Sequence, residues 1–238
     1  MAATEKGFAP YHDPELPPVV MPECSVERKL KGQKALVTGA SSGIGKGIAA
    51  ALGHAGADVV VNYVSGPDDA EAVVEEIRRC GDSKSYAHRC DVANEDDVRE
   101  MFARMHREFG GIDILVNNAG LSPKTPYKER LGCLNGDLDA WRQVFEINFF
   151  AGLKLVRGFA AALHRGRGAV VNVTSIAGHA VHPFAGSAYS TSKAALSALT
   201  RELAHECAAL DIRVNAVAPG EIETAMIGPE YEALIPRI

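Results

Sequence analysis

A tyrosine and a lysine four residues apart, Tyr189 and Lys193, are the pair in this sequence best suited to acid–base chemistry. Residues at positions i and i+4 of a helix lie on one face, so the phenol and the ammonium would point into the same space. A phenol can give or take a proton at a carbonyl or alcohol oxygen, but its ordinary pKa of about 10 is too high for a good base at neutral pH. Because a nearby ammonium favours the phenolate, we expect Lys193 to lower the pKa of Tyr189.

A cluster of glycines, Thr38–Gly45, follows a short apolar run and has the spacing G-x-x-x-G-x-G. Glycines allow a tight turn and let a phosphate approach the backbone. The free N–H groups and the dipole of a following helix would favour a pyrophosphate. Taken alone, the same spacing also fits an ordinary glycine-rich turn.

Further polar residues follow other apolar runs. Asn117-Asn118-Ala119-Gly120 ends one run, Asn148 lies inside a helical stretch, and Ser175 follows a later run. Each has a structural explanation when taken singly. Tyr189 and Lys193 could form a solvated helix face, Ser175 could be a polar strand end, and Asn148 could be a buried amide with its hydrogen bonds satisfied.

The elements that would position these residues alternate regularly along the chain. Short apolar runs that do not alternate indicate strands buried on both faces, and helices between them indicate right-handed crossovers in a parallel sheet. The sequence therefore predicts one α/β domain with a three-layer, doubly wound parallel sheet, the Rossmann fold, whose ligands bind at the carboxyl ends of the strands. The predicted strands are Ala35–Thr38, Asp58–Tyr63, Tyr86–Val92, Ile112–Val116, Ala169–Val173 and Ile212–Val217, and the predicted helices are Gly43–Gly56, Asp68–Cys80, Glu95–Phe109, Leu138–Leu163 and Ser187–Leu210.

Composition separates an N-terminal extension from this domain. Residues 1–30 are rich in proline and show no period of 2 or 3.6, so we expect an extended arm there and the catalytic domain in residues 31–238. The whole chain has 238 residues, of which 47% are hydrophobic, and this suits one domain with a core of its own.

Charge and cysteine usage narrow the class of protein. A formal net charge of -5 without a basic patch disfavours a nucleic-acid partner, and no apolar run is long enough to predict a membrane span. The N-terminus has no apolar segment of the kind found in signal peptides. The five cysteines are scattered, which favours reduced thiols in a cytoplasmic protein. His179 and His182 have no third ligand nearby in the sequence, so we expect no metal site.

Taken together, in this order and at these intervals, the motifs resemble those of the short-chain dehydrogenase/reductase family. Thr38–Gly45 is similar to the cofactor glycine motif of the family, and Asn117–Gly120 to its N-N-A-G motif. Pro219-Gly220 with Thr224 resembles its P-G loop, where a hydroxyl meets the nicotinamide carboxamide. The resemblance spans about residues 31 to 238 and implies an NAD(P)(H)-dependent oxidoreductase that interconverts a secondary alcohol, or a sugar hydroxyl, and a carbonyl.

The resemblance also implies roles for single residues. The active-site set would be Asn148, Ser175, Tyr189 and Lys193, with Tyr189 as the acid–base group and Ser175 as a hydrogen-bond donor to the substrate oxygen. Asn148 would bind a water that links Lys193 to solvent, and the positive nicotinamide would help to lower the pKa of Tyr189. Besides Tyr189 and Lys193, the residues implied to contact the cofactor are Gly39, Ser41, Ser42, Gly43, Ile44, Gly45, Asn62, Tyr63, Asp91, Val92, Asn117, Ala119, Gly120, Pro219, Gly220, Ile222 and Thr224.

The end of the second strand bears on the choice of cofactor. NAD-selective proteins of this fold place an acidic residue there to hold the ribose hydroxyls. This chain has Asn62 and Tyr63 instead, and no Arg or Lys in the glycine turn or at that strand end. We expect NADP(H) to be favoured, with NAD(H) use open. By resemblance Asp91 accepts a hydrogen bond from the adenine amino group, and the alternative is that it serves as a turn or capping residue.

Two further stretches resemble the bacterial glucose 1-dehydrogenase and 3-oxoacyl-[acyl-carrier-protein] reductase types, namely Val59–Tyr63 and Tyr189–Lys193. We expect a glucose 1-dehydrogenase-like enzyme that acts on a small molecule, with a 3-oxoacyl reductase or an inactive cofactor-binding scaffold as alternatives. The segments Leu121–Asp137 and Ile176–Ser187 should shape the substrate site. Lys124, Lys128 and Arg130 are candidates for a basic patch towards an acyl carrier, or simply solvated loop charges.

The C-terminus departs from the family pattern. Family members continue through another helix and a seventh strand that help to build dimer and tetramer contacts, whereas this sequence stops at Ile238. The resemblance therefore implies a homo-oligomer. If these elements are absent from the protein, we expect an exposed edge on the sixth strand, loss of oligomers and lower stability.

Overall fold

The computed structural model describes residues 28–81, 83–123, 131–222 and 224. Within these residues the strands form one six-stranded sheet with the order β3-β2-β1-β4-β5-β6, and every neighbouring pair is parallel. The order reverses between β1 and β4, so a crevice opens at their carboxyl ends. The strands are β1 Lys34–Val37, β2 Asp58–Tyr63, β3 Tyr86–Arg89, β4 Ile114–Asn117, β5 Ala169–Val173 and β6 Arg213–Val217.

Helices connect the strands, and two of them, α3 and α4, begin with a side-chain N-cap. Helix α3 begins after Asn94, whose side chain accepts hydrogen bonds from the backbone of Asp96 and Asp97, and it ends at Gly110 with a φ of 73°. The helices are α1 Gly43–His54, α2 Pro67–Arg79, α3 Glu95–Phe109, α4 Leu138–Phe145, α5 Ala151–Gly166 and α6 Ser187–Ala208.

One helix that was predicted as continuous is interrupted in the structure. The sequence predicts a single helix over Leu138–Leu163, whereas a π-helical turn, Glu146–Phe150, separates α4 from α5. A π-turn lengthens the hydrogen-bonded ring by one residue and is not visible in a hydrophobic pattern of period 3.6. The turn sets the direction in which its middle residue, Asn148, points.

The sheet is buried on both faces because alternate residues of each strand point to opposite sides. Val60 packs on the face covered by α3, α5 and α6, whereas Val59 and Val61 pack on the face covered by α1 and α2. The sheet with its two helical layers is the predicted doubly wound arrangement. At the edge of the sheet, Val214 is the one buried residue of β6.

Several predictions concern residues outside the described ranges. These are most of the N-terminal extension, the candidate basic patch Lys124, Lys128 and Arg130, and the C-terminal segment from residue 225. Leu30, near the first described residue, already packs against the core on the α1 and α2 side. Among the helices of the described ranges, none has the length and apolar character needed to cross a bilayer.

Candidate active site

The glycine turn after β1 is shaped by close packing that leaves no room for a side chain. Gly39 and Gly43 have φ values of 61° and 54°, in the left-handed region that favours glycine. A Cβ on Gly45 would lie 2.3 Å from the carbonyl oxygen of Gly39 and 2.5 Å from Nδ2 of Asn118. The turn therefore brings the backbone N–H groups at the start of α1 to the mouth of the crevice, where an anionic group can bind.

Asn62 supports this turn from behind. Its Oδ1 accepts a hydrogen bond from the Gly39 N–H at 3.1 Å, and its Nδ2 donates to the Cys90 carbonyl at 2.9 Å. The side chain is buried and does not line the cleft, whereas the following residue, Tyr63, does. Asn62 was predicted to contact the cofactor, but the structure places it where it links the ends of β1, β2 and β3.

The two asparagines of the N-N-A-G stretch after β4 make different contacts. Asn118 lines the cleft and donates from Nδ2 to the Thr38 carbonyl at 2.8 Å and to the Gly39 carbonyl at 3.1 Å. Asn117 is buried away from the cleft and donates to Oδ1 of Asn172 at 2.8 Å. Asn117 was predicted to contact the cofactor and Asn118 was not, although the doubled asparagine was the available signal.

The carboxyl ends of β1, β4 and β5 open into a cleft of about 650 Å³, a size that suits a ligand rather than a packing defect. Asn62, Asn117 and Asn148 do not line it. The predicted site residues that do line it are Gly39, Ser41, Ser42, Gly43, Ile44, Gly45, Tyr63, Asp91, Val92, Ala119, Gly120, Ser175, Tyr189, Lys193, Pro219, Gly220, Ile222 and Thr224.

Tyr189 lies in this cleft together with Ser175. Burial raises the pKa of Tyr189, the Ser175 side chain lowers it, and the Glu221 carboxylate raises it further. The expectation that Lys193 lowers this pKa is not met, because the net shift is upward and Lys193 is not among its causes. The Lys193 ammonium is 5.8 Å from the centre of the phenol ring.

Lys193 is engaged with the backbone of β5. Its Nζ donates to the Val173 carbonyl at 2.7 Å, and its side chain is almost wholly buried. Burial lowers the pKa of Lys193 to about 8. A Cβ on Gly120 would lie 3.5 Å from Nζ, so the glycine that ends the N-N-A-G stretch leaves room beside the lysine.

Asn148, held in the π-turn, braces two neighbouring segments. Its Oδ1 accepts from the Leu121 N–H at 2.7 Å, and its Nδ2 donates to the Leu121 carbonyl and to Oγ of Ser192, both at 3.0 Å. Asn148 thereby joins the loop after β4 to helix α6, which carries Tyr189 and Lys193. Its role in a water relay stays a prediction.

Asp91 serves as a turn residue and also lines the cleft, and its contact with an adenine stays a prediction. It lines the cleft, and its Oδ1 also accepts a hydrogen bond from the Ala93 N–H at 2.9 Å in the turn that follows β3. One carboxylate oxygen is thus used by the turn, and a carboxylate has further acceptor capacity for a ligand.

Sequence reasoning missed Arg89 and Glu221 near the cleft, and it included His182 only as part of the segment Ile176–Ser187 expected to shape the substrate site. Arg89 pairs with Tyr63 across β2 and β3, and its Nε donates to the Val64 carbonyl at 3.3 Å. His182 and Glu221 both line the cleft, with 2.6 Å between Nε2 of His182 and Oε1 of Glu221. Arg89 gave no signal in the sequence, whereas Glu221 could have been found from its position directly after Pro219-Gly220.

Within the described ranges no cluster of His, Cys, Asp and Glu could hold a metal ion.

Comparison with known proteins defines the family. The short chain dehydrogenase family model matches residues 33–234. The chain is 43% identical over 202 residues to Protein FixR from Bradyrhizobium diazoefficiens, covering 84% of this chain and 70% of that protein. It is 42% identical over 198 residues to cis-4-hydroxycyclohexanecarboxylate dehydrogenase from Sinomonas cyclohexanicum, with 81% and 74% covered.

The fold agrees with a solved structure of the same family. A 3-oxoacyl-[acyl-carrier protein] reductase with bound NAD from Brucella melitensis superimposes with a TM-score of 0.81 at 30% identity, over 94% of this chain and 83% of that one. The chain belongs to the short-chain dehydrogenase/reductase family and is an oxidoreductase that acts on CH–OH or carbonyl groups. The fold is one that binds NAD(P)(H).

The residues of the cleft fit a dinucleotide. The helix start at Gly43 suits a pyrophosphate, and Asp91 and Val92, the residues predicted for the adenine end, line the same cleft. A Cβ on Gly43 would lie 3.5 Å from Cγ2 of Thr224, so the loop after β6 closes over the glycine turn from the opposite side. The nicotinamide end of such a ligand would therefore extend towards Tyr189.

Proposed function

We propose that this protein interconverts a ketone and a secondary alcohol with NAD(P)(H), using Tyr189 as the acid–base group. The observation that carries this is that Tyr189 and Ser175 lie together inside the cleft that begins at the glycine turn. This arrangement supplies a proton and a second hydrogen-bond donor at one point, as reduction of a carbonyl requires.

In the reductive direction Tyr189 donates its proton to the substrate oxygen as negative charge develops there, and in oxidation it takes the proton from the alcohol. The Ser175 hydroxyl donates a hydrogen bond to the same oxygen. A bound nicotinamide supplies or accepts the hydride. Lys193 would hold the ribose hydroxyls, and Asn148 keeps the Leu121 turn and helix α6 in place around it.

The walls beyond Tyr189 favour a moderately apolar ketone. Leu131, Ile147 and Phe184 line the cleft there, together with the polar side chains of Gln143, His182 and Glu221. Oxidation of glucose, an activity suggested by the sequence, would need polar partners for several hydroxyls, and the three apolar side chains favour a less polar substrate. The 3-oxoacyl type of substrate or an alicyclic ketone fits these apolar side chains better, and the 3-oxoacyl-[acyl-carrier protein] reductase named above supports the same choice.

NADP(H) is the favoured cofactor. The end of β2 offers Tyr63, Val64 and Ser65 to the cleft, and none of these would repel a 2′-phosphate. Arg89, held on the Val64 carbonyl, adds a positive charge beside this strand end. The Brucella relative was solved with NAD, so NAD(H) use stays open for this chain. A cytoplasmic location and assembly into dimers or tetramers complete the proposal.

The test is turnover with and without the phenol. Purified protein is titrated with NADPH and NADH by fluorescence, and ketones and secondary alcohols are then supplied while absorbance of the reduced nicotinamide is followed. We expect turnover by the wild type, a loss of at least about 10³-fold in kcat for Tyr189→Phe and cofactor affinity within about twofold of wild type. Cofactor binding without turnover of any compound would instead favour the inactive scaffold.

A further inference from the structure

The His182–Glu221 pair places a negative charge at the substrate end of the cleft. His182 belongs to the loop after β5 and Glu221 to the loop after β6, and the pair joins these loops across the cleft. The His182 side chain is 13% exposed and that of Glu221 is 26% exposed. The carboxylate is thus held in one position but can still be reached by a bound molecule.

The hydrogen bonds of the imidazole determine the net charge of this pair. Nδ1 of His182 accepts from the backbone N–H groups of Phe184 and Ala185, each at 3.3 Å. A nitrogen that accepts two N–H groups carries no proton, so the ring is the neutral tautomer with its proton on Nε2, facing Glu221. The pair therefore carries one net negative charge, and His182 is a positioning residue for the carboxylate.

Glu221 acts on the same space as the reacting group. Both Glu221 and Tyr189 line the cleft, and the Glu221 carboxylate contributes to the raised pKa of Tyr189. Within the described part of the cleft, few groups compensate this negative charge. Among the described residues that line the cleft, the one lysine is Lys193, which is buried and already donates to the Val173 carbonyl, and no arginine lines it. The remaining wall at this end is largely apolar.

We propose that Glu221, held by His182, selects substrates by charge. The cleft accepts carbonyl compounds that are uncharged near the reacting carbon, especially those with a hydrogen-bond donor towards Glu221, and excludes those that carry a carboxylate there. A second carboxylate about 5 Å away in a partly desolvated site would lose on the order of tenfold to a hundredfold in affinity. This inference rests on the proposed function, because it assumes that substrates bind beside Tyr189.

The probe is a matched pair, cis-4-hydroxycyclohexanecarboxylate and the corresponding carboxamide, which have the same shape and differ in charge. Each is titrated into the protein–NADPH complex, where an alcohol cannot be oxidised, and binding is followed by NADPH fluorescence. We expect the wild type to bind the amide at least about tenfold more tightly than the acid. Glu221→Gln should bring the two dissociation constants within about twofold of each other, chiefly by improving the acid.

The control is Glu202→Gln, which removes an exposed carboxylate on α6 that does not line the cleft and should keep the wild-type ratio. Equal binding of acid and amide by the wild type, an unchanged ratio in Glu221→Gln, or failure of the amide to bind would overturn the proposal. Because this binding needs no hydride transfer, failure of the oxidoreductase function appears separately, as absence of oxidation of the amide when NADP⁺ replaces NADPH.

Discussion

Lys193 is the residue whose burial has the clearest energetic consequence. Its ammonium has one described backbone acceptor, the Val173 carbonyl, and its side chain is 3% exposed. Removing a charge from water is costly, and burial lowers the pKa of Lys193 from 10.5 to about 8. The buried ammonium of Lys193, near Tyr189, therefore lowers the stability of the folded protein near neutral pH.

The stability should depend on pH in a defined window. Between about pH 8 and 10.5 the unfolded chain carries a proton on Lys193 that the folded chain has lost, so stability rises with pH and falls as pH is lowered towards 8. We expect the free energy of unfolding of the wild type, minus that of Lys193→Met, to rise by roughly 1 kcal/mol per pH unit between pH 8 and 9.5. Urea unfolding of both proteins between pH 8 and 9.5 measures this difference, and parallel curves would contradict it.

Single residues also mark the limits of what the sequence can predict about the site. Tyr189, Ser175 and Lys193 were identified from residue type, interval and resemblance, and the structure brings them to one cleft. Asn62 and Asn117 were placed in the cleft as well, but their side chains point into the protein. Successive side chains of a strand point to opposite faces, and a one-residue shift in a strand end decides which of two neighbours faces a ligand. That shift cannot be read from composition or spacing.

At the scale of the element, two of the four glycines in helix α1, Gly45 and Gly47, differ in how closely other atoms pack around them. Gly45 packs against Gly39 and Asn118, where a Cβ would approach to 2.3 Å, whereas a Cβ on Gly47 would have no atom within 4 Å. Both lie inside the same helix, so they have the same helix propensity. They therefore form a matched pair for testing whether close packing of the glycine turn is needed for cofactor binding.

We expect Gly45→Ala to lower the free energy of unfolding by roughly 2–4 kcal/mol and to weaken NADPH binding by at least tenfold, because the first turn of α1 must move away from β1. Gly47→Ala should raise the free energy of unfolding by about 0.5–1 kcal/mol through helix propensity and leave NADPH affinity unchanged. Chemical denaturation and fluorescence titration of the two variants test this. Equal NADPH affinity in both would show that the packing of Gly45 is not required.

Most elements could be predicted from the sequence because buried parallel strands and amphipathic helices leave simple patterns. Asp58–Tyr63 and Glu95–Phe109 have the predicted bounds. The π-turn at Glu146–Phe150 could not be predicted, since it changes the backbone hydrogen-bond register without changing residue types. Arg89 was missed for a related reason: its position beside Val64 depends on the β2–β3 pairing register, which one chain segment cannot reveal.

At the scale of the whole molecule, the glycine turn, the β2 and β3 ends and the loops after β4, β5 and β6 all border one cleft. A ligand that fills it binds the folded chain and not the unfolded one, so it must stabilise the entire domain by mass action. Comparing the stabilisation of the domain by NADPH and by NADH therefore shows which cofactor the protein prefers, without the need for a substrate.

NADPH at about one hundred times its dissociation constant should add about 2.7 kcal/mol and raise the melting temperature by roughly 5–10 °C. We expect NADH at the same concentration to give a smaller rise. Arg89→Gln should reduce the rise with NADPH and leave that with NADH unchanged, because Arg89 would act on the 2′-phosphate alone. Thermal unfolding of both proteins with each cofactor measures this. Equal rises with the two cofactors in the wild type would refute the NADP(H) preference.

The buried amide of Asn62 has a consequence for how this protein could change its cofactor, whether in evolution or by engineering. Both ends of that amide are in use, one on Gly39 and the other on Cys90. A carboxylate at position 62 could not donate to the Cys90 carbonyl and would place a buried charge between three strand ends. Position 62 is therefore closed to the acidic residue that NAD-selective proteins of this fold use, and the exposed side of the strand end, beginning at Tyr63, is the place where such a change can be accommodated.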